Sequence, residues 1–479
     1  MPPGRFLLFH RAVFEAMGGF DERFAPAYYE ETDFCLRLWA RGLRVVYEPQ
    51  AVIDHYEFGS AQKSETALAL QRRNQELFEQ KHRDALAAHR PAGQGRELWA
   101  RLRLAATVPP PARVLVIDDQ VPLPSLGSGL PRARDILTHL AEPGRLVTFY
   151  PMAVPTEDWA KTYAALPRSV EVVMGPGRSG LEAFLLARRG YYDGVLVSRP
   201  HNMAELGRLL AKHPGLLDPA ALVYDAEAVF ALRDLVRARL LGAAPAIEKA
   251  EQAVTAELDL ARPAQRVLTV SEAEAAHFRA AGFADVQILG HGLVPNPTPR
   301  PFDERHDLLF VGRLTDDLSP NVDSLLWFAR DIMPRLRALL PDRIDLLACG
   351  RATAPSLRAI AGQGVTFIGE VADLQPYYDR CRVFVAPTRF AGGIPHKVHE
   401  AAAHGVPVVC TSLLAQQLGW QTEQAVLAAD DPDAFAAAVA RLYTDPALWQ
   451  RLRAQALVQV AADCAQPVFA ARLEAALRL

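Results

Sequence analysis

The sequence predicts an α/β protein: two doubly wound parallel sheets in tandem, preceded by a shorter α/β unit. Three observations predict it. The chain has 479 residues, more than a single core supports, so several domains follow. From Arg113 onward, short apolar runs alternate with amphipathic stretches, the pattern of strands and covering helices. RPAGQG and PPPAR, between residues 89 and 111, are proline- and glycine-rich and read as a linker. The expected division is 1–88, a linker at 89–111, a domain at 112–290 and a second at 291–479.

Composition sets limits on function. Half the residues are apolar, 22% are charged and the formal net charge is −3, so no overall basic field marks the chain for nucleic acid. The five cysteines (Cys35, Cys349, Cys381, Cys410, Cys464) form no CxxC pair, so neither a zinc site nor a disulfide framework is expected. No run of about 18 apolar residues occurs, and the first residues do not read as a signal peptide. The expectation is a cytoplasmic protein, with association at the inner face of a membrane left open.

In the first unit, Phe6–Phe9 reads as a strand, His10–Met17 as a helix stopped by Gly18 and Gly19, Asp33–Arg41 as a helix stopped by Gly42, and Leu43–Tyr47 as a strand. Glu30, Glu31 and Asp33 cluster where a helix N-terminus favours negative charge, which helix capping alone explains. LALQRRNQELFEQKHRDALAAH is a charged helix of mixed sign, usual for a solvated face. The next domain reads as strands RVLVIDD, LVTFYP, VEVVM, GVLVSR, ALVYDA and RVLTVS. Gly127 and Gly129 lie in the loop after its first strand and offer an acceptor-side contact or simply a tight βα turn. Near Gly290 the series restarts as DLLFVG, DLLACG, VTFIG, VFVAP, VPVVC and AVLAA, so two Rossmann-like domains follow each other. A helical segment from about Pro446 is expected to pack back across the hinge.

Val383–Cys410 carries the most chemistry. It reads as strand, glycine loop, helix and strand. Gly392 and Gly393 permit close backbone approach, and Gly405 fits a left-handed helix stop. The helix start offers unpaired N–H groups and a positive dipole end to a phosphate, and Lys397 adds charge there. His396, Lys397 and Glu400 share one face, where a carboxylate suits sugar hydroxyls. A plain structural crossover is the competing reading of this stretch.

GGFDERF, YYEETDFCLRL, GLRVVYEP and the His55 of VIDH closely resemble the C-terminal third of family-2 glycosyltransferases of the GT-A fold. The resemblance implies that Glu30 and Glu31, with Asp33 nearby, match the catalytic acidic pair and that His55 matches a metal-assisting histidine. It also implies a nucleotide-binding half with an Asp-x-Asp motif upstream. Without that half, the unit is expected to be a partial GT-A-type remnant with a vestigial site, or the product of a truncated gene.

VSEAEAAHF, LLFVGRL, PNVDSLLWFARDIMP, CGRATA, VTFIGEVADLQPYYDRCRVFVAPTRFAGG and KVHEAAAHGVPVV resemble family-4 glycosyltransferases of the GT-B fold over residues 112–460. The composite resembles bacterial fusions of the two families that serve surface polysaccharide synthesis. Arg313 matches the family's diphosphate-contacting arginine, whereas its usual lysine partner is Leu318 here, a place Lys397 is available to fill. Glu400 matches the carboxylate that grips the donor ribose, and the family's other glutamate is Gly392. His201 matches an N-domain histidine near the donor sugar, with a surface or capping histidine as the alternative.

The resemblance implies transfer of a sugar from a nucleotide diphospho-sugar to a glycan or lipid-linked saccharide, with no further cofactor. Arg313, Lys397, His396 and the Gly392–Gly393 amides would hold the donor, with Glu400 and His201 as the catalytic pair. A hexosyltransferase working without metal is expected, because Asp431-Pro432-Asp433 reads as a helix cap. A non-catalytic nucleotide-sugar or glycan-binding scaffold is the main alternative, and a sugar-phosphate epimerase a weaker one.

Overall fold

The computed structural model describes residues 7–43, 45–46, 64–87, 112–123, 129–142, 145–156, 158–243, 245–340 and 344–477. His55 and Gly127 lie outside these residues. The chain divides into two compact units, Met1–Pro111 and Ala112–Leu479.

Among the described residues the first unit is helical: α1 (Arg11–Ala16), α2 (Glu30–Ala40), α3 (Ser64–Lys81) and α4 (Arg83–Ala87). The strands expected at Phe6–Phe9 and Leu43–Tyr47 are absent at their described positions, where no partner ladder is present to hold an extended segment. Helix α2 begins three residues earlier than expected, so Glu30 and Glu31 lie in its first turn rather than before it. Phe9, Phe14, Phe20 and Phe34 pack ring to ring at 4.7–6.3 Å. Helix α3 is not the freely solvated helix its charge implied. Its buried Asn74 donates to the carbonyls of Phe24, Ala27 and Tyr28, fixing the turn before α2.

The second unit holds two parallel sheets. The first has seven strands in the order β3-β2-β1-β4-β5-β6-β7. They are β1 (Ala112–Asp118), β2 (Arg145–Pro151), β3 (Glu171–Val172), β4 (Gly194–Ser198), β5 (Ala221–Glu227), β6 (Arg266–Thr269) and β7 (Val286–Ile288). The short β7 was not expected, and VEVVM pairs over only two residues. The helices between are α5 (Leu130–Leu140), α6 (Trp159–Ala165), α7 (Gly177–Ala187), α8 (Pro200–Lys212), α9 (Phe230–Leu240), α10 (Ile247–Asp259) and α11 (Glu272–Ala280). Strand β4 is buried at every residue because helices cover both faces of the sheet, which is why it reads as a continuous apolar run.

The second sheet has six strands in the order β10-β9-β8-β11-β12-β13. These are β8 (Leu308–Val311), β9 (Leu346–Cys349), β10 (Val365–Gly369), β11 (Val383–Ala386), β12 (Val408–Cys410) and β13 (Leu427–Ala428), one for each expected run. Its helices are α12 (Pro320–Trp327), α13 (Met333–Leu339), α14 (Gln375–Arg380), α15 (His396–Ala403), α16 (Ser412–Leu418), α17 (Pro432–Thr444), α18 (Pro446–Cys464) and α19 (Gln466–Ala476). The long helix expected from Asn321 is broken by a π-helical turn at Phe328–Ile332, just before Pro334, whose ring nitrogen cannot donate. Helix α19 returns to the first sheet, burying Phe469, Leu473 and Ala476 in its core. Arg145 pairs with Glu474 there, and Arg266 donates to the carbonyls of Ala475 and Ala476.

Both strand orders reverse direction once, between β1 and β4 and between β8 and β11. Such switch points open a crevice at the carboxyl ends of the strands. The loops after β1, β4, β8 and β11 carry most of the candidate residues.

Candidate functional site

In the second sheet, close backbone approach builds the site. Gly350 follows β9 with φ +129°, and a Cβ there would lie 2.1 Å from the Gly312 carbonyl oxygen, so only glycine fits. A Cβ on Gly312 would likewise meet Asn321 at 2.8 Å. The bare backbone lets Asn321, at the start of α12, donate to the Arg313 carbonyl at 3.2 Å. The other end of the same amide accepts from Lys397 Nζ at 2.8 Å. Arg313 and Lys397, 84 positions apart in sequence, are thereby brought to one switch point by a single asparagine.

Lys397 is partly buried. Its ammonium also donates to Thr388 Oγ1 at 3.2 Å and lies 4.8 Å from the centre of the Phe310 ring. No carboxylate among the described residues pairs with it. Burial without a counter-ion pulls its pKa down to about 7. Arg313 is exposed, bonded through Nε to Thr315 Oγ1 at 3.1 Å, and has no carboxylate partner among the described residues either. Leu318 is exposed.

Helix α15 starts after Pro395 without a side-chain cap and ends in a left-handed Gly405 (φ +69°), as expected. His396 Nδ1 lies 3.6 Å from Glu400 Oε2, and both are partly exposed on one face. His399 points the other way. It packs on Trp420, its ring nitrogens make no hydrogen bond, and burial holds it neutral with a pKa near 3. His291, in the connector between the domains, packs against His396 and is also kept neutral by burial.

The glycine loop is placed differently from the expectation. Gly392 and Gly393 press on the first domain, where Cβ atoms would come within 3.3 and 3.4 Å of Ala228 Cβ. The Gly393 amide donates to Glu274 Oε1 at 2.9 Å, and Glu274 Oε2 accepts from Val229 N at 2.8 Å. That amide is therefore engaged by a carboxylate of α11, not open to a diphosphate. The cationic side chains at this switch point without a carboxylate partner among the described residues are Arg313 and Lys397, beside the uncapped start of α15.

The first domain contributes a charged cluster of which only His201 and Gly129 were expected. Asp118 ends β1 and accepts from Arg199 Nε at 3.0 Å, and burial pushes its pKa up. Asp119 lies 2.5 Å from His201 Nε2 and accepts from Asn202 at 2.8 Å. Burial pushes Asp119 up, but His201, Arg199 and Asn202 together hold it below its ordinary value. Asp225 on β5 forms a buried two-bond pair with Arg132 at 2.7 and 3.0 Å. Arg132 also donates to the carbonyls of Leu289 and Gly290, anchoring the start of the connector. Glu227 ends β5. Arg199 and Glu227 have φ +78° and +56°, left-handed values that cost a non-glycine residue on the order of 1 kcal/mol and gather at functional sites. The sequence signal for this cluster was charge at strand ends, DD after β1 and DAE in β5, which an apolar-run search passes over.

In the first unit, Asp33 is fully buried and shared by Arg37, Lys81 and His82. Burial raises its pKa, yet the bonds from Lys81, His82 and Arg37 hold it below the ordinary value. Asp33 is thus a neutralised tie between α2, α3 and the turn after it. Glu30 has one buried oxygen without a partner, and burial raises its pKa. Among the described residues no group of three or more histidine, cysteine or acidic side chains is arranged to hold a metal ion. Asp431 caps α17, accepting from the amides of Asp433 and Ala434.

Residues 305–445 match the family model of group 1 glycosyl transferases. A search of curated proteins found no match. Among solved structures, the chain is similar to HepE of Anabaena in complex with UDP and glucose, at 17% identity over 76% of this chain and 99% of that one, with a TM-score of 0.55. Sucrose-phosphate synthase of Thermosynechococcus elongatus aligns at 18% identity over 77% and 98%, with a TM-score of 0.56. A glycosyltransferase of Rickettsia africae aligns at 10% identity over 77% and 99%, with a TM-score of 0.57. The paired sheets are therefore the two Rossmann-like domains of a GT-B fold, and the second of them carries the group 1 glycosyl transferase match.

Proposed function

We propose that the second unit is a glycosyltransferase that takes a sugar from a nucleotide diphospho-sugar, works without metal, and serves a glycan or lipid-linked acceptor in surface polysaccharide synthesis. The observation that carries the reading is Lys397: an amine held at a switch point in the first turn of α15 and tied through Asn321 to the Arg313 backbone, with no carboxylate among the described residues paired to it. Such a group is stabilised by an anion, and a diphosphate supplies one. As the bond between the anomeric carbon and the diphosphate breaks, charge grows on the phosphate oxygens, and fixed cations there lower the barrier. In this reading Glu400, with His396 3.6 Å away, accepts hydrogen bonds from the ribose, and His201, half-exposed and bonded to Asp119 in the first domain, serves the donor sugar. The UDP named in the HepE structures fits this donor class.

The test is titration calorimetry with UDP-, GDP-, ADP- and dTDP-glucose, followed by assay of nucleotide release without added metal and with chelator. Binding of one donor and chelator-resistant turnover support the reading, and no binding by any of them overturns it. Gly392 in place of a carboxylate and the engagement of the Gly393 amide by Glu274 favour a second reading, a non-catalytic nucleotide-sugar-binding scaffold. Binding with no turnover would select it.

A further inference from the structure

Resting on the donor reading above, an acceptor hydroxyl must be held at the sugar and lose its proton as it attacks. Gly392 has no side chain for either task, and the space before it is filled by Ala228 in the turn after β5 and by Arg233 in the first turn of α9. The residue that enters this turn is Glu227. We propose that Glu227 is the catalytic carboxylate of the site, receiving the attacking hydroxyl of a neutral sugar and taking its proton.

Four observations support this. The other carboxylates at this sheet edge are committed: Asp118 to Arg199, Asp119 to His201 and Asn202, Asp225 to Arg132. Glu227 is held only by long pairs, 3.8 Å to Arg199 and 3.9 Å to Arg132, and accepts no hydrogen bond from a described residue. Its side chain is 15% exposed, with Oε1 3.3 Å from where a Gly129 Cβ would stand at the start of α5. Burial raises its pKa to about 7, Asp225 and Asp118 push it the same way, and Arg199 and Arg132 pull against them. That value suits a base working near neutrality. Four carboxylates facing two guanidinium groups disfavour a phosphate-bearing acceptor and suit sugar hydroxyls.

In the step, the acceptor O–H proton passes to the Glu227 carboxylate and the oxygen forms its bond to the anomeric carbon. The bond from that carbon to the diphosphate breaks, and its electron pair stays on the phosphate oxygen, toward Lys397 and Arg313. The experiment uses the full chain and whichever of the four nucleotide-glucoses binds, with methyl glycosides and water as acceptors, and follows nucleotide release at saturating donor from pH 5.5 to 9. The rate should climb through about pH 7. E227Q should keep donor affinity, lose about 10²–10⁴-fold in rate, and lose the climb. A rate near that of the unaltered protein, or a climb retained in E227Q, overturns the proposal. So does donor binding without any nucleotide release by the unaltered protein, whereas no donor binding at all overturns the donor reading instead. If E227Q fails to fold, E227D carries the test: a reduced rate at unchanged donor affinity supports the role, and an unchanged rate overturns it.

Discussion

If Lys397 is the donor's phosphate contact, then donor binding must take up a proton. With a pKa near 7, the unliganded ammonium is about nine-tenths neutral at pH 8 and about one-tenth neutral at pH 6. A diphosphate beside it favours the charged form and restores a pKa well above about 9. Binding should then take up about 0.9 proton at pH 8 and about 0.1 at pH 6, and affinity should fall about 50-fold from pH 7 to pH 9. A nucleoside diphospho-sugar is the right probe, because its diphosphate has no ionisation near neutrality to add a signal of its own. Calorimetry in two buffers of different ionisation enthalpy measures the proton directly. Lys397→Met should abolish the uptake and flatten the pH dependence. Binding of a donor with no proton uptake at pH 8, or full uptake in the Met variant, would refute the assignment.

The same group links pH to stability. Between about pH 7 and the ordinary lysine value of 10.5, the unfolded chain holds this proton and the folded chain does not. The lysine's contribution to folding stability therefore rises with pH across that window and is lost as pH falls through 7. Lys397→Met should accordingly melt higher than the unaltered protein at pH 6, with the gap closing above pH 10, which is the usual trade of stability for a functional charge.

Arg313→Ala should weaken nucleotide-sugar binding by about 1.5–3 kcal/mol in calorimetry while leaving the melting temperature unchanged, since its side chain bonds only to Thr315. Glu274→Ala leaves the buried amides of Gly393 and Val229 without an acceptor, at about 1–3 kcal/mol each, and should speed hydrogen exchange at both. Unchanged exchange would mean that the contact between the domains does not depend on this carboxylate. Asp33→Asn should destabilise the first unit by about 3–5 kcal/mol in urea unfolding, because it leaves Lys81 and Arg37 around an uncharged amide.

The sheets were legible because both are covered on two faces. Five strands of the second sheet are runs of apolar residues and the sixth, VTFIG, is interrupted only by Thr366, and six such runs give six strands. Short strands were harder. β7 pairs over Val286–Ile288 and its sequence, VQI, carries a central polar residue. Arg313 and Lys397 were legible as charges near glycine turns, but their link through Asn321 was not. It depends on Gly312 and Gly350 lying almost in contact, which is a matter of strand pairing rather than local sequence. The Gly393 amide was misread for a related reason, since which partner reaches a bare backbone is set by the other domain. The ties of Asp33 to Lys81 and His82 were not legible, because these partners lie almost fifty residues away in a stretch whose mixed charge reads as a solvated helix.

Lys397 and Glu227 place opposite demands on the proton. The lysine serves the donor only when charged, and the glutamate serves the acceptor only when ionised, yet both titrate near pH 7 in the unliganded protein. If each were fixed, at most about a quarter of the molecules would be in the working state, at about pH 7, and fewer on either side. The donor resolves the conflict, because its diphosphate raises the lysine's pKa and leaves the glutamate, in the other domain and ringed by Arg132, Arg199, Asp118 and Asp225, largely as it was. The pH range over which both groups are correctly charged then opens upward from about 7. The profile of kcat/KM, which reports the free protein, should therefore be a narrow bell, and that of kcat a rise to a plateau. On this reasoning the donor sets the charge of the lysine and pH alone sets that of the glutamate, so the falling limb of the kcat/KM profile reports Lys397 and the rising limb of both profiles reports Glu227.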